Sequence, residues 1–267
     1  MVDHHCPLPA THDKLDEAHF FLHGVLDMIH EPDPFRWNLN AFLQALRSVD
    51  HMLRVEVRGS TAESWYRDQR AAYVSDALLT RIKNGRDLVV HRGLLEVESS
   101  AHAGVFRGRV LKLALPLPLP TRERSSSLLV RFRKVVQEKG DPVFVDEDHS
   151  VIGEQYGIQR HWKVSALDPV DEVPEATHRA WARMHAIVAE AHRRLGSVLD
   201  PVPPEPEAAH DPRRWTVLLE TDLDPSLWRE WGWPTAEESR ETLRRWLREA
   251  NKAQATFAME EGDSEAP

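Results

Sequence analysis

The sequence predicts a mainly helical protein: an antiparallel four-helix bundle with a small β insertion and a C-terminal helical extension. Three stretches near the start carry apolar residues at helical spacing and are joined by short breaks, as in antiparallel bundles. A fourth such stretch begins near Pro174, and short alternating runs typical of strands precede it. The predicted organisation is a bundle over residues 12–200 with a β-rich insertion at about 94–168, an extension over 201–252 and a disordered acidic tail over 253–267.

The first two predicted helices are separated by a proline-rich break. Apolar residues recur on one side of a helix over residues 12–30, and residues 31–34 should end that helix because proline cannot continue it. Asn38 or Asn40 is a suitable N-cap for the second helix, whose apolar spacing continues to about Val57. These segments predict two neighbouring amphipathic helices.

The third and fourth helices are predicted over residues 63–83 and 174–195. Asn84 and Gly85 form a typical stop signal after the third helix. Residues 86–91 are therefore expected to form a separate turn. The fourth helix is long enough to complete a bundle with the first three.

The chain between the third and fourth predicted helices has the alternating pattern of apolar and polar residues that is typical of strands. Four short, roughly alternating runs predict strands at residues 105–115, 129–136, 142–145 and 160–165. Proline occupies every second position near residues 114–120, which predicts extended chain at an edge or in a linker. We therefore expect a small β insertion here.

The composition changes again after residue 200. Residues 201–207 are rich in proline and typical of a linker, and a charged helix is predicted over residues 235–252. Trp228, Trp231 and Trp233 have the flat side chains that stack on bases, but such a group more often covers a bundle or a dimer contact. The expectation for this region is a small helical extension.

Composition and termini indicate a cytoplasmic protein without a membrane partner. The 267 residues contain no uninterrupted apolar stretch of about 18 residues, so no membrane span is expected. The first residues lack the basic and apolar regions of a signal peptide. A single cysteine forms no internal disulfide, which suits a reducing compartment.

The net charge of −9 is unfavourable for binding nucleic acid over the whole surface, but the charge is unevenly distributed. Residues 101–139 contain nine basic and two acidic side chains and could form a local phosphate-binding patch. The alternative is a solvated face balanced by acidic neighbours. The candidate RNA-binding residues are Arg107, Arg109, Lys112, Arg131, Arg133 and Lys134.

The candidate catalytic residues are Arg86, Asp87 and His91. Arginine can hold a phosphate through planar, bidentate contacts, and histidine can transfer protons near neutral pH. Together they suit RNA cleavage without a metal or a cofactor. A second pair of the same kind, Arg179 and His185, lies in an alanine-rich helical stretch and is interpreted as surface beside the core.

Several segments of the first hundred residues together resemble a HEPN-type domain, a helical bundle common in bacterial toxins and phage-defence proteins. The resemblance rests on residues 15–22, 38–49, 65–66 and 86–91, and above all on Arg86-Asp87 followed by His91. It covers about residues 12–93, with the helix over 174–195 as a fourth element. In this family the arginine is followed by a polar residue, a position that Asp87 fills here.

The resemblance implies a homodimer in which two arginine–histidine pairs meet in one cleft. His91 would be the base for the RNA 2′-hydroxyl, Arg86 would stabilise the phosphate, and Asp87 would orient Arg86 or tune His91. The implied function is a metal-independent endoribonuclease of the toxin or phage-defence type, with RNA as substrate and an antitoxin protein as a further partner. The alternative is a non-catalytic HEPN-like dimerisation or partner-binding module. Neither a metal nor another cofactor is expected.

Two groups of residues have side chains that could bind a metal. One is a stripe along the first helix that would suit a metal-dependent bundle hydrolase, although such a stripe is more often the polar border of an amphipathic helix. The other is an N-terminal group that would bind zinc only adventitiously. The stripe contains Asp16, His19, His23, Asp27 and His30, with His51 and His185 as possible additions, and the N-terminal group contains His4, His5, Cys6 and His12.

Overall fold

The computed structural model describes residues 6–92, 97–115, 122–139, 153, 155–164, 167, 172–197, 212–224 and 226. Within these ranges the chain is mainly helical with a small antiparallel sheet, so that part of the predicted fold class is confirmed. The elements are α1 (Pro9–Asp27), α2 (Pro32–Glu56), α3 (Glu63–Ser75), α4 (Ala77–Arg92), β1 (Glu98–Arg107), β2 (Val110–Leu115), α5 (Ser125–Lys139), β3 (Gln155–Lys163), α6 (Val173–Arg194), α7 (Arg213–Thr216) and β4 (Val217–Leu219), followed by a 3-10 turn at Glu220–Asp222.

The chain divides into two compact units. The helical unit comprises residues 1–100, 120–124 and 160–216, and the sheet unit comprises residues 101–119, 125–159 and 217–267. Two of the boundaries between the units fall within strands, one in β1 and one in β3, so these two strands contribute residues to both units. No helix in the part of the chain that the structure describes is long and apolar enough to cross a membrane.

The core of the helical unit forms along α1 and α2, which lie against each other. Leu15, Ala18, Leu22 and Val25 recur at helical spacing on the buried side of α1. The proline-rich break is shorter than predicted, because α2 begins at Pro32 rather than at Asn38 or Asn40. Proline suits that first position, since an N–H there would have no partner within the helix.

The predicted break after residue 83 is wrong, because α4 continues without interruption through Asn84 and Gly85. The chain instead breaks at Asp76, between α3 and α4. The Asp76 carboxylate accepts hydrogen bonds from the backbone N–H groups of Leu78 and Leu79 and caps α4. Gly85 permits close packing: a Cβ atom there would lie 2.5 Å from Leu167 Cδ2.

The predicted strand over residues 129–136 is also wrong, because this segment lies in α5. Its buried residues Leu129, Phe132 and Val136 follow a three–four spacing, which places them on one face of a helix. In the sheet unit this face packs with Tyr156, whose ring meets the Phe132 ring edge-to-face at 5.5 Å. The roughly alternating run is therefore the buried face of a helix, with mainly polar residues between the buried ones.

The sheet has the strand order β2-β1-β3-β4. The predicted strand over residues 105–115 is a hairpin: β1 and β2 pair antiparallel around Gly108, which has a φ of +54° that suits glycine in a tight turn. The strand expected over 160–165 begins earlier, at Gln155, as β3. The run at 142–145 lies outside the described residues.

Residues expected to belong to a helical extension instead provide the edge strand β4. Val217, Leu218 and Leu219 pair antiparallel with β3. The short helix α7 precedes this strand directly. The charged helix predicted over 235–252, the tail over 253–267 and the three tryptophans at 228, 231 and 233 lie outside the described part.

Candidate functional site

The candidate catalytic residues Arg86 and Asp87 lie side by side on α4. Arg86 Nη1 donates to Asp87 Oδ1 at 3.0 Å, and both side chains are partly exposed. His91 lies in the same helix one residue before its end, and its side chain is outside the described part. Because an ideal helix turns about 100° per residue, positions 86 and 91 lie roughly 140° apart around its axis. One α4 helix therefore does not place the pair on a single face.

The candidate RNA-binding residues of the sheet unit divide into two kinds. Arg109 donates to the Val217 carbonyl and pairs with Asp222 at 2.8 Å. Arg133 lies 3.3 Å from the buried Glu220 carboxylate, and burial raises the pKa of Glu220 while Arg133 opposes that shift. Acidic neighbours thus offset these two charges. The candidates with exposed residues are Arg107, Lys112, Arg131 and Lys134.

The histidine stripe of α1 forms a packed pair rather than a larger cluster. His19 Nε2 and His23 Nε2 are 3.3 Å apart, and the His19 ring stacks on Trp181 of α6 with centroids 4.6 Å apart. Burial lowers the pKa of His19, and the charge of His23 lowers it further. Among the described residues, the stripe does not bring three ligand atoms together.

Acidification is expected to destabilise the protein partly through His19. Because the pKa of His19 is lowered in the folded state, the unfolded chain binds the proton more readily. The stability that neutral His19 contributes is therefore present above the ordinary pKa of 6.5 and is lost as the pH falls through the lower folded pKa. His23 and Asp16 on α1, and His178 and His185 on α6, face this ring and modify the effect.

The test measures the thermal unfolding midpoint on both sides of that pH range. His19→Gln should reduce the slope of the midpoint against pH, and the shared contribution of His185, whose pKa burial also lowers, should leave a residual slope. His51→Gln on α2 is the control, because residue 51 is exposed. A slope unchanged in His19→Gln would refute this assignment.

Three potential metal ligands lie together where the segment before α1 meets the last turn of α6. Cys6 Sγ lies 3.4 Å from His192 Nε2 and 3.8 Å from His12 Nδ1, and the three ligand atoms all lie within 4.8 Å of one another. Cys6 precedes α1, His12 belongs to its first turns, and His192 belongs to the last turn of α6. Thiol and imidazole groups are zinc ligands, so this cluster has the chemistry of a metal site.

Two of the three residues in this cluster were among the metal-ligand candidates that the sequence offered. Cys6 and His12 were in the N-terminal group expected to bind zinc adventitiously, and His4 and His5 of that group lie outside the described residues. His192 was missed because it follows Cys6 by 186 positions, and no ligand spacing connects them. Its position at the end of an amphipathic helix gave no sign of metal chemistry.

A buried polar cluster in the helical unit was also missed. The Asp50 carboxylate accepts a hydrogen bond from the Tyr66 hydroxyl at 2.6 Å and pairs with Arg47. Arg70 Nε lies 3.6 Å from the same carboxylate. Asp50 has only 4% of its surface exposed, so its charge is stabilised by these partners rather than by water.

Residues 1–209 match the model of the family described as bacteriophage lambda protein ea47. The chain belongs to this ea47 family. No curated protein and no solved structure matches the chain.

The segment that matches the ea47 family includes the candidate catalytic residues and the candidate metal ligands. It contains Arg86, Asp87 and His91, and also Cys6, His12 and His192. The edge strand β4 follows the end of the match. Both groups of candidate functional residues are therefore inside the ea47-family segment.

Proposed function

We propose that this ea47-family protein is a metal-independent endoribonuclease of the toxin or phage-defence type, with a HEPN-like four-helix bundle as its helical unit. The packing of the helices supports the bundle: α1 contacts α2 and α6, α2 also contacts α4 and α6, and α4 contacts α6. The family takes its description from a protein of bacteriophage lambda, which fits a phage-related setting. The proposed location is the cytoplasm, where the RNA substrate would be met.

The observation that carries the enzymatic proposal is the Arg86–Asp87 pair on the outer part of α4. Asp87 fixes one side of the guanidinium at 3.0 Å while 35% of the Arg86 side-chain surface stays exposed. A guanidinium has five N–H donors, so this ion pair leaves donors for a phosphate. A fixed, accessible guanidinium can stabilise the charge that develops on phosphorus-bound oxygens.

The unbroken α4 helix favours a site shared between two subunits. Because about 140° separates positions 86 and 91 around the helix axis, Arg86 of one chain would act with His91 of the partner subunit. Two α4 helices meeting around a twofold axis would give two equivalent sites, as symmetry requires. The proposed active form is therefore a homodimer.

The reaction requires proton transfer and charge stabilisation. His91 accepts the proton of the RNA 2′-hydroxyl, and the resulting oxygen attacks the adjacent phosphorus. The bond from phosphorus to the 5′-oxygen breaks, and that oxygen takes up a proton from the histidine. The products are a 2′,3′-cyclic phosphate and a 5′-hydroxyl. Arg86 stabilises the phosphorus-bound oxygens, and Asp87 orients Arg86.

The full chain should cleave RNA in the presence of EDTA at a temperature at which circular dichroism shows it folded. Arg86→Ala and His91→Ala should each lose at least about 100-fold in rate, because each removes a group acting on the transition state. A mixture of the two inactive variants should recover activity, since a mixed dimer contains one complete site. Arg179→Ala removes the arginine of the other arginine–histidine pair and is the matched control.

Cleavage at the wild-type rate in Arg86→Ala would contradict the proposed site. If the mixture stayed inactive although each variant was folded and dimeric, a site shared between two subunits would be contradicted. If Arg179→Ala were the one variant that lost activity, the catalytic arginine would be assigned to α6.

Exposed aromatic residues favour a second candidate function, a non-catalytic dimerisation module. Phe20 on α1 is 70% exposed and Trp37 on α2 is 61% exposed. Large aromatic side chains are enriched in protein interfaces. In this case the wild type would not cleave RNA, and Phe20→Ser with Trp37→Ser would convert a dimer into a folded monomer in analytical ultracentrifugation.

A further inference from the structure

We propose that Cys6, His12 and His192 form a zinc site that fastens the segment before α1 to the end of α6. The site shares no residue with Arg86, Asp87 and His91, so its role is separate from the proposed RNA cleavage. It goes beyond the proposed function because that function needs no metal, and no bound metal was expected from the sequence.

The distances suit one tetrahedral zinc ion. With Zn–S of about 2.3 Å and Zn–N of about 2.0–2.1 Å, sulfur and nitrogen ligands on the same ion lie roughly 3.6 Å apart. Cys6 Sγ lies 3.4 Å from His192 Nε2 and 3.8 Å from His12 Nδ1. All three atoms lie within 4.8 Å of one another, so small side-chain adjustments complete the geometry.

The buried His192 ring is oriented as in a metal site. Its Nδ1 lies 3.0 Å from the Val188 carbonyl oxygen, which only accepts hydrogen bonds, so Nδ1 carries the proton. Nε2 then presents its lone pair toward Cys6 Sγ. His192 has 2% of its surface exposed, so side-chain packing holds this orientation.

His12 shows the complementary arrangement. Its Nδ1 faces Cys6 Sγ, and its Nε2 lies 3.6 Å from Asp16 Oδ2. A carboxylate on the far nitrogen of a ligating histidine fixes the ring and strengthens it as a ligand. Both histidines therefore have one nitrogen toward the cluster and the other toward an oxygen acceptor.

The ligand set suits zinc and leaves one coordination position. Thiolate sulfur and imidazole nitrogen are both zinc ligands, and a fourth position would be filled by water. On binding, the Cys6 thiol loses its proton to solvent, because the thiolate is the ligand. The ion would hold together groups that are 186 positions apart in the chain, and unfolding would release it.

The test uses the full chain, stripped of metal by a chelator and then titrated with Zn²⁺ alone or Co²⁺ alone. The wild type should bind one equivalent per chain, and its thermal unfolding midpoint should rise with zinc. Cobalt should give a thiolate-to-metal charge-transfer absorption. Cys6→Ser should lose that absorption and bind zinc at least about 100-fold more weakly, and His12→Gln should also weaken binding by about 10-fold or more.

His192→Gln is less suitable because the residue is buried, so the two variants at partly exposed positions carry the test. His23→Gln is the matched control, since it breaks the His19–His23 pair and should leave zinc binding unchanged. The proposal is overturned if the wild type binds no zinc or if Cys6→Ser binds it as tightly as the wild type. Loss of binding in His23→Gln with retention in Cys6→Ser would assign the metal to α1 instead.

Discussion

Trp162→Ala is expected to lower the free energy of unfolding by about 3–5 kcal/mol, the range for removing a large aromatic side chain from a core. Trp162 is 3% exposed in the helical unit, and its ring stacks on Phe35 with centroids 4.4 Å apart. The guanidinium of Arg160 lies 4.4 Å from the ring centroid, and the indole N–H donates to the Ile29 carbonyl at 2.8 Å. The substitution therefore removes packing, a cation–π contact and a buried hydrogen bond together.

Urea unfolding followed by circular dichroism measures this effect. Trp162→Phe is the control, because it keeps a stacked ring and loses mainly the indole hydrogen bond, which is worth about 1 kcal/mol plus some lost contact area. A Trp162→Ala protein with the wild-type unfolding midpoint would show that this ring does not support the helical core.

Asp50→Ala is the second substitution with a large expected effect, a loss of about 3–5 kcal/mol. Removing the buried carboxylate takes away the partner of the Arg47 guanidinium and one of two acceptors of the Tyr66 hydroxyl, bonded at 2.6 Å. The backbone carbonyl of residue 50, at 3.0 Å, remains as the other acceptor. Arg70, 3.6 Å away, also loses its counter-charge. The cost arises mainly because the partly buried guanidinium groups of Arg47 and Arg70 remain without their counter-charge.

A double-mutant cycle tests this explanation. Tyr66→Phe should cost about 1 kcal/mol, and the double variant should be less destabilised than the sum of the single changes by roughly 0.5–3 kcal/mol. Asp50→Asn keeps an oxygen acceptor of similar shape and should cost less than Asp50→Ala. Strictly additive losses in urea unfolding would mean that Asp50 and Tyr66 do not stabilise each other.

The helices with the strongest apolar periodicity were predicted close to their observed positions. The stop signal at Gly85 and the short alternating run in α5 led to wrong predictions. The stretches that became α1, α2 and α6 each have one continuous buried face, which local spacing reveals. Gly85 was interpreted as a stop signal, although it lies inside α4 where Leu167 approaches closely. A sequence does not show which glycine has a neighbour that excludes a side chain.

The error at α5 has a similar origin. Phe132 and Val136 belong to a helical face, but the intervening polar residues make the run resemble a strand. Over eight residues, the spacing of apolar side chains every second position in a strand is difficult to distinguish from their spacing every three to four positions in a helix. The burial of these side chains in the sheet unit decides for the helix.

For the candidate sites, the sequence by itself determined what lies close along the chain: the adjacent Arg86 and Asp87, and two of the three residues of the metal cluster, Cys6 and His12. Only the tertiary structure decided that His192 completes the cluster and that Tyr66 meets Asp50. It also decided that the edge strand at Val217–Leu219 pairs with β3. The physical reason is that local spacing encodes helix faces and adjacent partners, whereas contacts between distant residues depend on how those faces pack.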